Sequence, residues 1–177
     1  MSKTKDILDV ATKLFIEKGI KGTSIQSIAD ACGISKGAVY LHFKSKNDII
    51  LAIHKGIEKD MLETLAELMD RNDVSGVELL KLHIQSEFTE ILESKALQQS
   101  ILTDSGFEMS NELLMWIQEC RHRWQQAREK LLLKVFGEDI KPWAMDLCLL
   151  LDGVVQEYST YMLLENAQFD IDPLVIM

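Results

Sequence analysis

Ile7, Leu8, Ala11, Leu14 and Phe15 return every three or four positions with lysines and aspartates between them, a period that predicts an amphipathic first helix. Lys18-Gly19 closes it with a cation in the last turn and then a residue free to turn left-handed. Thr23-Ser24-Ile25-Gln26 has the form of a capping box, and Ile25, Ile28 and Ala29 give a short second helix its apolar stripe before Gly33 stops it. Ser35 stands where it can cap a third helix over 36–43. In that helix Val39 and Phe43 take the inward positions, and Lys36, Gly37, Tyr40 and His42 point elsewhere. Ser45-Lys46-Asn47-Asp48 caps a fourth helix, whose stripe runs from Ile49 through Ile53, Ile57 and Leu65 to Leu68 and ends near Asp70.

The same period continues beyond residue 74, in longer segments. It predicts helices over 75–93, 96–103, 110–136 (closed by Gly137) and 142–166, the last with Pro142 in its first turn. Pro173 after Asp172 reads as the opening of one more helix cut off after a turn. The expectation there is either a short final helix or a chain that stops before its natural end. With only 9 Gly and 2 Pro in 177 residues there is little turn chemistry for a sheet of short strands, and an all-α chain is expected. Apolar residues make up 47% and charged residues 27%, which excludes extensive disorder.

Cys32, Cys120 and Cys148 form neither an even disulfide set nor a CxxC pair, which points to a reducing, cytoplasmic setting. The first ten residues lack a signal-peptide core. The longest apolar runs, such as Leu147 to Leu151, fall far short of the ~20 residues that cross a bilayer, so no membrane partner is expected.

Charge is unevenly spread. Residues 1–55 hold nine lysines against five acidic residues, a net of +4, while the rest of the chain is at −13 within a total of −9. A basic segment on an otherwise acidic chain points to a nucleic-acid face there. Two short helices around a glycine-containing turn, the second rich in outward polar groups, are the pattern of a helix-turn-helix. One helix fits the major groove of duplex DNA, where every base pair shows its own donor and acceptor pattern. Gly37 permits close backbone approach, Lys36 and Lys46 offer charge to phosphates, and Tyr40 and His42 offer hydrogen-bonding tips on rigid rings.

The stretch from Thr23 to Lys46, Thr-Ser-Ile-Gln-Ser-Ile-Ala-Asp-Ala-Cys-Gly-Ile-Ser-Lys-Gly-Ala-Val-Tyr-Leu-His-Phe-Lys-Ser-Lys, resembles the N-terminal signature of TetR-type transcriptional repressors (the TetR/AcrR type). Two positions depart from it: Cys32 stands where Ala or another small residue is usual, and Ala38 where Thr is common. The resemblance implies that Lys36, Gly37 and Ala38 line the groove-facing start of a recognition helix. It implies that Thr23, Ser35, Tyr40, His42 and Lys46 meet backbone phosphates. It also implies a three-helix DNA-binding domain over 1–46 and a helical effector-binding and dimerisation domain over 47–177, with the fourth helix as link and lever. The family's last two helices usually build a dimer interface; here Gly153 and Thr160 are small enough for close helix approach.

Trp116, Cys120 and Trp124 share one helix face at i, i+4, i+8, either as plain core or as a wall of an apolar ligand cavity. Phe88, Leu92, Phe107, Tyr158 and Met162 are expected to join such a wall, with Glu87 or Glu157 as a charge for a cationic ligand. No nucleophile-base set, HExxH, P-loop or dinucleotide fingerprint occurs, and Glu87, Glu90 and Glu93 read as a solvated face, so neither enzyme nor cofactor is expected. The sequence thus predicts a dimeric, ligand-responsive repressor that binds a palindromic duplex operator and is released from it by a small, largely apolar effector. A helical adaptor that ignores DNA and a helical enzyme are the alternatives.

Overall fold

The computed structural model describes residues 3–104 and 107–165, and among them it is entirely helical. Seven α-helices follow one another: α1 Lys3–Gly22, α2 Ile25–Ala31, α3 Lys36–Tyr40, α4 Lys46–Asp70, α5 Gly76–Thr103, α6 Asn111–Phe136 and α7 Ala144–Leu164. A 3-10 helix, Glu138–Trp143, precedes α7. The expected further helix at Pro173 lies outside the described residues.

The chain forms two compact units. One takes in everything up to Ile57 together with Ala96–Ile117; the other takes in Glu58–Lys95 and the chain from Gln118 onward. A boundary after residue 46 therefore does not match the units: the first turns of α4, the end of α5 and the start of α6 all belong with the N-terminal one. These helices span 25, 28 and 26 residues, too long for one small core to bury.

In the N-terminal unit, Ile7, Ala11 and Phe15 of α1, Ile28 and Ala29 of α2, and Val39 and Phe43 pack with Ile49 and Ile50 of α4 and with Leu97 and Leu113. Each large apolar side chain so buried stabilises the unit by ~1.5–3 kcal/mol. Gly19 breaks α1 at φ 71° and ψ 165°, a backbone region open essentially to glycine alone. Side chains donate to carbonyls on both sides of the break. The Thr23 hydroxyl lies 3.0 Å from the Leu14 carbonyl and 2.8 Å from that of Gly19. Ser100 donates to Phe15 at 2.5 Å, and the Lys46 ammonium donates to Ile20. Asp104 in turn accepts the Lys21 amide at 2.6 Å. Asn47 holds the 107–110 segment with both ends of its amide, donating to the Glu108 carbonyl at 3.2 Å and accepting from the Ser110 amide at 3.1 Å.

The second unit has its own apolar centre of Leu65, Leu79 and Leu131, with Leu68, Trp124 and Val135 against it. Gly76 starts α5 so close to α6 that a Cβ there would lie 2.9 Å from the Val135 carbonyl oxygen. Lys134 donates to the Met69 and Arg71 carbonyls at the end of α4, as a cation at a helix C-terminus should.

Several local expectations shift. The α2 box is Ser24 with Ser27, one residue later than Thr23 with Gln26; Gln26 instead reaches Asp30 at 2.7 Å. Helix α3 stops at Tyr40 rather than Phe43. The predicted pair over 75–93 and 96–103 is the single helix α5, and Pro142 sits in the 3-10 turn rather than in the first turn of α7. Ser45 caps α4 as predicted, accepting the Asp48 amide at 3.1 Å, while the Asp48 carboxylate reaches back to the Lys44 amide at 2.9 Å.

Candidate nucleic-acid interface

Helix α3 owes its position to the turn before it. Gly33 takes φ 65°, the left-handed conformation that ends α2, and the Ile34 amide then bonds the Ala29 carbonyl at 3.0 Å. Ser35 caps the new start, its oxygen accepting the Ala38 amide at 3.1 Å. Val39 and Phe43 are buried and fix the roll of the helix. What remains is an outward row of Ser35, Lys36, Gly37, Tyr40, Leu41 and His42.

Tyr40 is 46% exposed and carries the Lys36 ammonium 5.8 Å from its ring centroid. This cation-π contact holds a positive tip and a phenol side by side on one surface. Nothing crowds Gly37: the nearest atom to an added Cβ would be the Ser35 oxygen at 3.8 Å. Ala38 is half-buried behind the row. His42 is exposed, with its Nδ1 3.1 Å from the Thr4 hydroxyl, a contact that ties the end of the α3 segment to the start of α1. Leu41, at 86% exposure, is an apolar tip that the sequence does not single out.

Two of the expected phosphate contacts are occupied inside the fold. Thr23 is buried and its hydroxyl is committed to the α1 carbonyls, so it is a tie of the unit rather than a surface donor. Lys46 is half-buried and donates to Ile20. Both lie around the break at Gly19, where their donors meet α1 carbonyls. Cys32 packs against the same core, its thiol pushed up by burial and by the Asp6 carboxylate.

A capped helix start, anchored on its buried side, thus offers backbone, cation and phenol together. The family model for bacterial regulatory proteins of the tetR family matches residues 7–53, a span that holds every residue of the outward row. Over that span the chain carries the N-terminal domain of tetR-family regulators. Among TetR-type relatives, YerO of Bacillus subtilis (strain 168), described as an uncharacterized HTH-type transcriptional regulator, is 30% identical over 176 residues, 96% of this chain and 59% of YerO. YuxN of the same organism, described in the same terms, is 29% identical over 162 residues, 92% of this chain and 55% of YuxN. The chain thus spans little more than half the length of either regulator. In fold it is similar to the solved structure of Bacillus subtilis FadR in complex with stearoyl-CoA, with a TM-score of 0.74 at 22% identity over 97% of this chain and 93% of that one.

The residues expected to wall an effector cavity are divided between the two units. Phe107 and Trp116 pack on the core of the N-terminal unit, where Trp116 lies 5.9 Å from the His54 ring. Phe88, Leu92, Cys120, Trp124, Tyr158 and Met162 belong to the second unit. Within it Phe88 meets Tyr158 edge-on at 6.0 Å and Met162 is buried, whereas Leu92 is exposed. The Cys120 thiol is pushed up to about 12 by burial and then by the Glu58 carboxylate, which Arg123 grips at 2.7 and 2.9 Å. A cleft of about 330 Å³ in the second unit has Asp60, Thr64, Ser86, Glu90 and Glu93 on its walls and none of the predicted liners.

Glu87 is not on a solvated face. It is buried against Arg128, a residue the sequence does not single out, and the His83 ring lies 3.3 Å from the same carboxylate oxygen. The available signal was the inward stripe of α5: His83 and Glu87 follow Leu79 at four-residue steps and occupy positions where apolar residues belong.

Proposed function

We propose that this chain is a transcriptional repressor that binds a two-fold symmetric DNA operator as a homodimer through α3 and leaves it when a small, largely apolar effector binds the second unit. The observation that carries this reading is the outward row on α3: Lys36, Gly37 and Tyr40 exposed together on a helix start anchored by Val39 and Phe43. Lys36 and Gly37 would meet base edges, with Ala38 just behind. Ser35, Tyr40 and His42 would meet phosphates, which set register, while the groove edges supply sequence. Thr23 and Lys46 act from inside, holding α1 and α4 so that the row keeps its shape.

For the homodimer, support comes from α7. Leu149, Leu150, Val154, Tyr161 and Leu164 recur at helical spacing and are all exposed, with Gly153 among them. Such a stripe fits a second copy of itself about a two-fold axis. That symmetry would place two α3 helices on half-sites one helical turn, or a multiple of it, apart. For the effector, the support is FadR, whose solved complex holds a ligand with a long acyl chain. The reading includes no catalytic step. No helix among the described residues is long and apolar enough to cross a membrane.

Selection from randomised duplexes followed by fluorescence anisotropy tests the reading. An enriched inverted repeat bound by two chains is the expected result, and a chain that enriches no duplex overturns it in favour of a helical adaptor.

A further inference from the structure

Three charged or titratable side chains lie where the second unit should be apolar. His83 and Glu87 of α5 are 1% and 4% exposed, and Arg128 of α6 is 6% exposed. Leu79 lies one turn before His83, and Leu131 follows Arg128 on α6. Trp124 stacks on the His83 ring at 6.5 Å, and the Phe88–Tyr158 pair and Met162 provide further apolar surface in the same unit. Arg128 donates to Glu87 with one terminal nitrogen and pairs Asp152 of α7 with the other, while His83 Nε2 lies 3.3 Å from the Glu87 carboxylate.

The contacts leave atoms over. Both His83 ring nitrogens, Glu87 Oε2 and Arg128 Nε are buried with no hydrogen-bond partner among the described residues. Folded proteins leave few such atoms, because each forfeits its bonds to water for nothing in return. Four on three adjoining side chains call for a shared partner. Each imidazole nitrogen of His83 can donate or accept, according to its tautomer. Glu87 Oε2 accepts, and Arg128 Nε donates. The partner must therefore both give and accept hydrogen bonds.

Charge narrows the choice further. The buried Glu87–Arg128 pair is balanced, so a charged head group of either sign would be desolvated there without a counter-ion. The Asp152 side chain, 39% exposed, adds a partly screened negative charge that weighs most against anions.

We propose that His83, Glu87 and Arg128 form the polar anchor of a ligand site in the second unit, and that its ligand is uncharged and mainly apolar with one alcohol, phenol or primary amide group. The proposal rests on the effector reading above and gives that effector its head group.

The test uses the full chain and four probes of one chain length: decan-1-ol, 1-methoxydecane, decanoate and decylammonium. Binding is read by calorimetry and by the tryptophan fluorescence of the protein. Decan-1-ol is expected to bind most tightly, roughly tenfold or more above decanoate, with the ether, which cannot donate, also weaker. In the double variant Glu87→Gln/Arg128→Met, which removes both buried charges together, the preference for decan-1-ol over decanoate should fall to about twofold or less. Its melting curve verifies folding, and His83→Phe, expected to weaken decan-1-ol severalfold, gives a second reading if the double variant does not fold. Decanoate binding as tightly as decan-1-ol, a preference that survives in the folded variants, or no probe binding at all, as when the anchor holds only an ordered water, would each overturn the proposal. The same probes are added to the protein-duplex complex. Decan-1-ol that binds as expected and leaves the duplex bound overturns the effector reading and keeps the anchor, whereas release by decanoate without decan-1-ol binding does the reverse.

Discussion

The single hydroxyl proton of Thr23 faces two backbone carbonyls, and the side chain is buried. Thr23→Val keeps the shape and removes the donor, so it is expected to cost the N-terminal unit ~1–3 kcal/mol in urea or thermal unfolding. Duplex affinity per folded molecule should stay unchanged. Tyr40 is the converse case, half exposed with its ring under Lys36. Tyr40→Phe should leave the melting curve in place and weaken duplex binding about fivefold across sequences, as for one lost phosphate hydrogen bond; anisotropy measures it, and unchanged affinity removes Tyr40 from the contact set. Both residues stand in one recognisable stretch, and the sequence alone assigns them the same role. What separates them is the packing around the Gly19 break, where the Thr23 hydroxyl meets the Leu14 and Gly19 carbonyls. Residue type and spacing reveal which groups can bind a phosphate; whether such a group is already spent depends on acceptors made elsewhere in the fold. Ser35, by contrast, was legible as a cap because its partner amide lies three residues away.

At the scale of elements, most boundaries were legible because the signals that set them are local: Ser45, Ser75 and Ser110 each cap the helix that follows. Helix α5 shows where local signals mislead. Glu93-Ser94-Lys95 reads as an interruption, yet it contains neither Gly nor Pro, and the Ser94 hydroxyl bonds back to the Glu90 carbonyl at 2.8 Å within the helix. The polar run is also followed by Leu97, which belongs to the core of the N-terminal unit, so the helix continues through it. The buried tie of α5, α6 and α7 was not legible, because Arg128 and Asp152 lie far along the chain from Glu87. Burial alone would raise the Glu87 carboxyl, but His83 and Arg128 outweigh it and hold the carboxyl below the usual carboxylate range. A carboxyl held low stabilises the fold above its unfolded pKa, and that contribution disappears as pH falls through the folded value. Acid unfolding of Glu87→Gln, followed by circular dichroism, should therefore show a shallower loss of stability below the usual carboxylate range than the parent chain; superimposable profiles would mean Glu87 carries no such charge. The α7 stripe makes a separate prediction. Leu150 is 67% exposed near its N-terminal end, and Leu150→Glu should convert dimers to monomers in sedimentation velocity with little change in helix content.

At the scale of the molecule, a chain of net charge −9 binds a polyanion only if its positive charge is gathered where the duplex meets it. Nine lysines stand among residues 1–55, with Lys36 on the outward row, and at physiological salt acidic groups more than about 8 Å from the duplex are largely screened. Affinity should then fall steeply with salt, each neutralised phosphate adding about 0.9 to the slope of log affinity against log salt. The two lysines of the signature should separate in such a titration. Lys36 is exposed on the outward row, and Lys36→Gln is expected to lower the slope by about 1. Lys46 donates its ammonium to the Ile20 carbonyl at the end of α1, so Lys46→Gln should lower the melting temperature of the N-terminal unit and change the slope less. If the two variants gave equal slopes, the tie to Ile20 would have to open on DNA, releasing Lys46 to the phosphates and leaving the Ile20 carbonyl to the Thr23 amide, 3.3 Å away. The free-protein melting curve of Lys46→Gln would still report the tie.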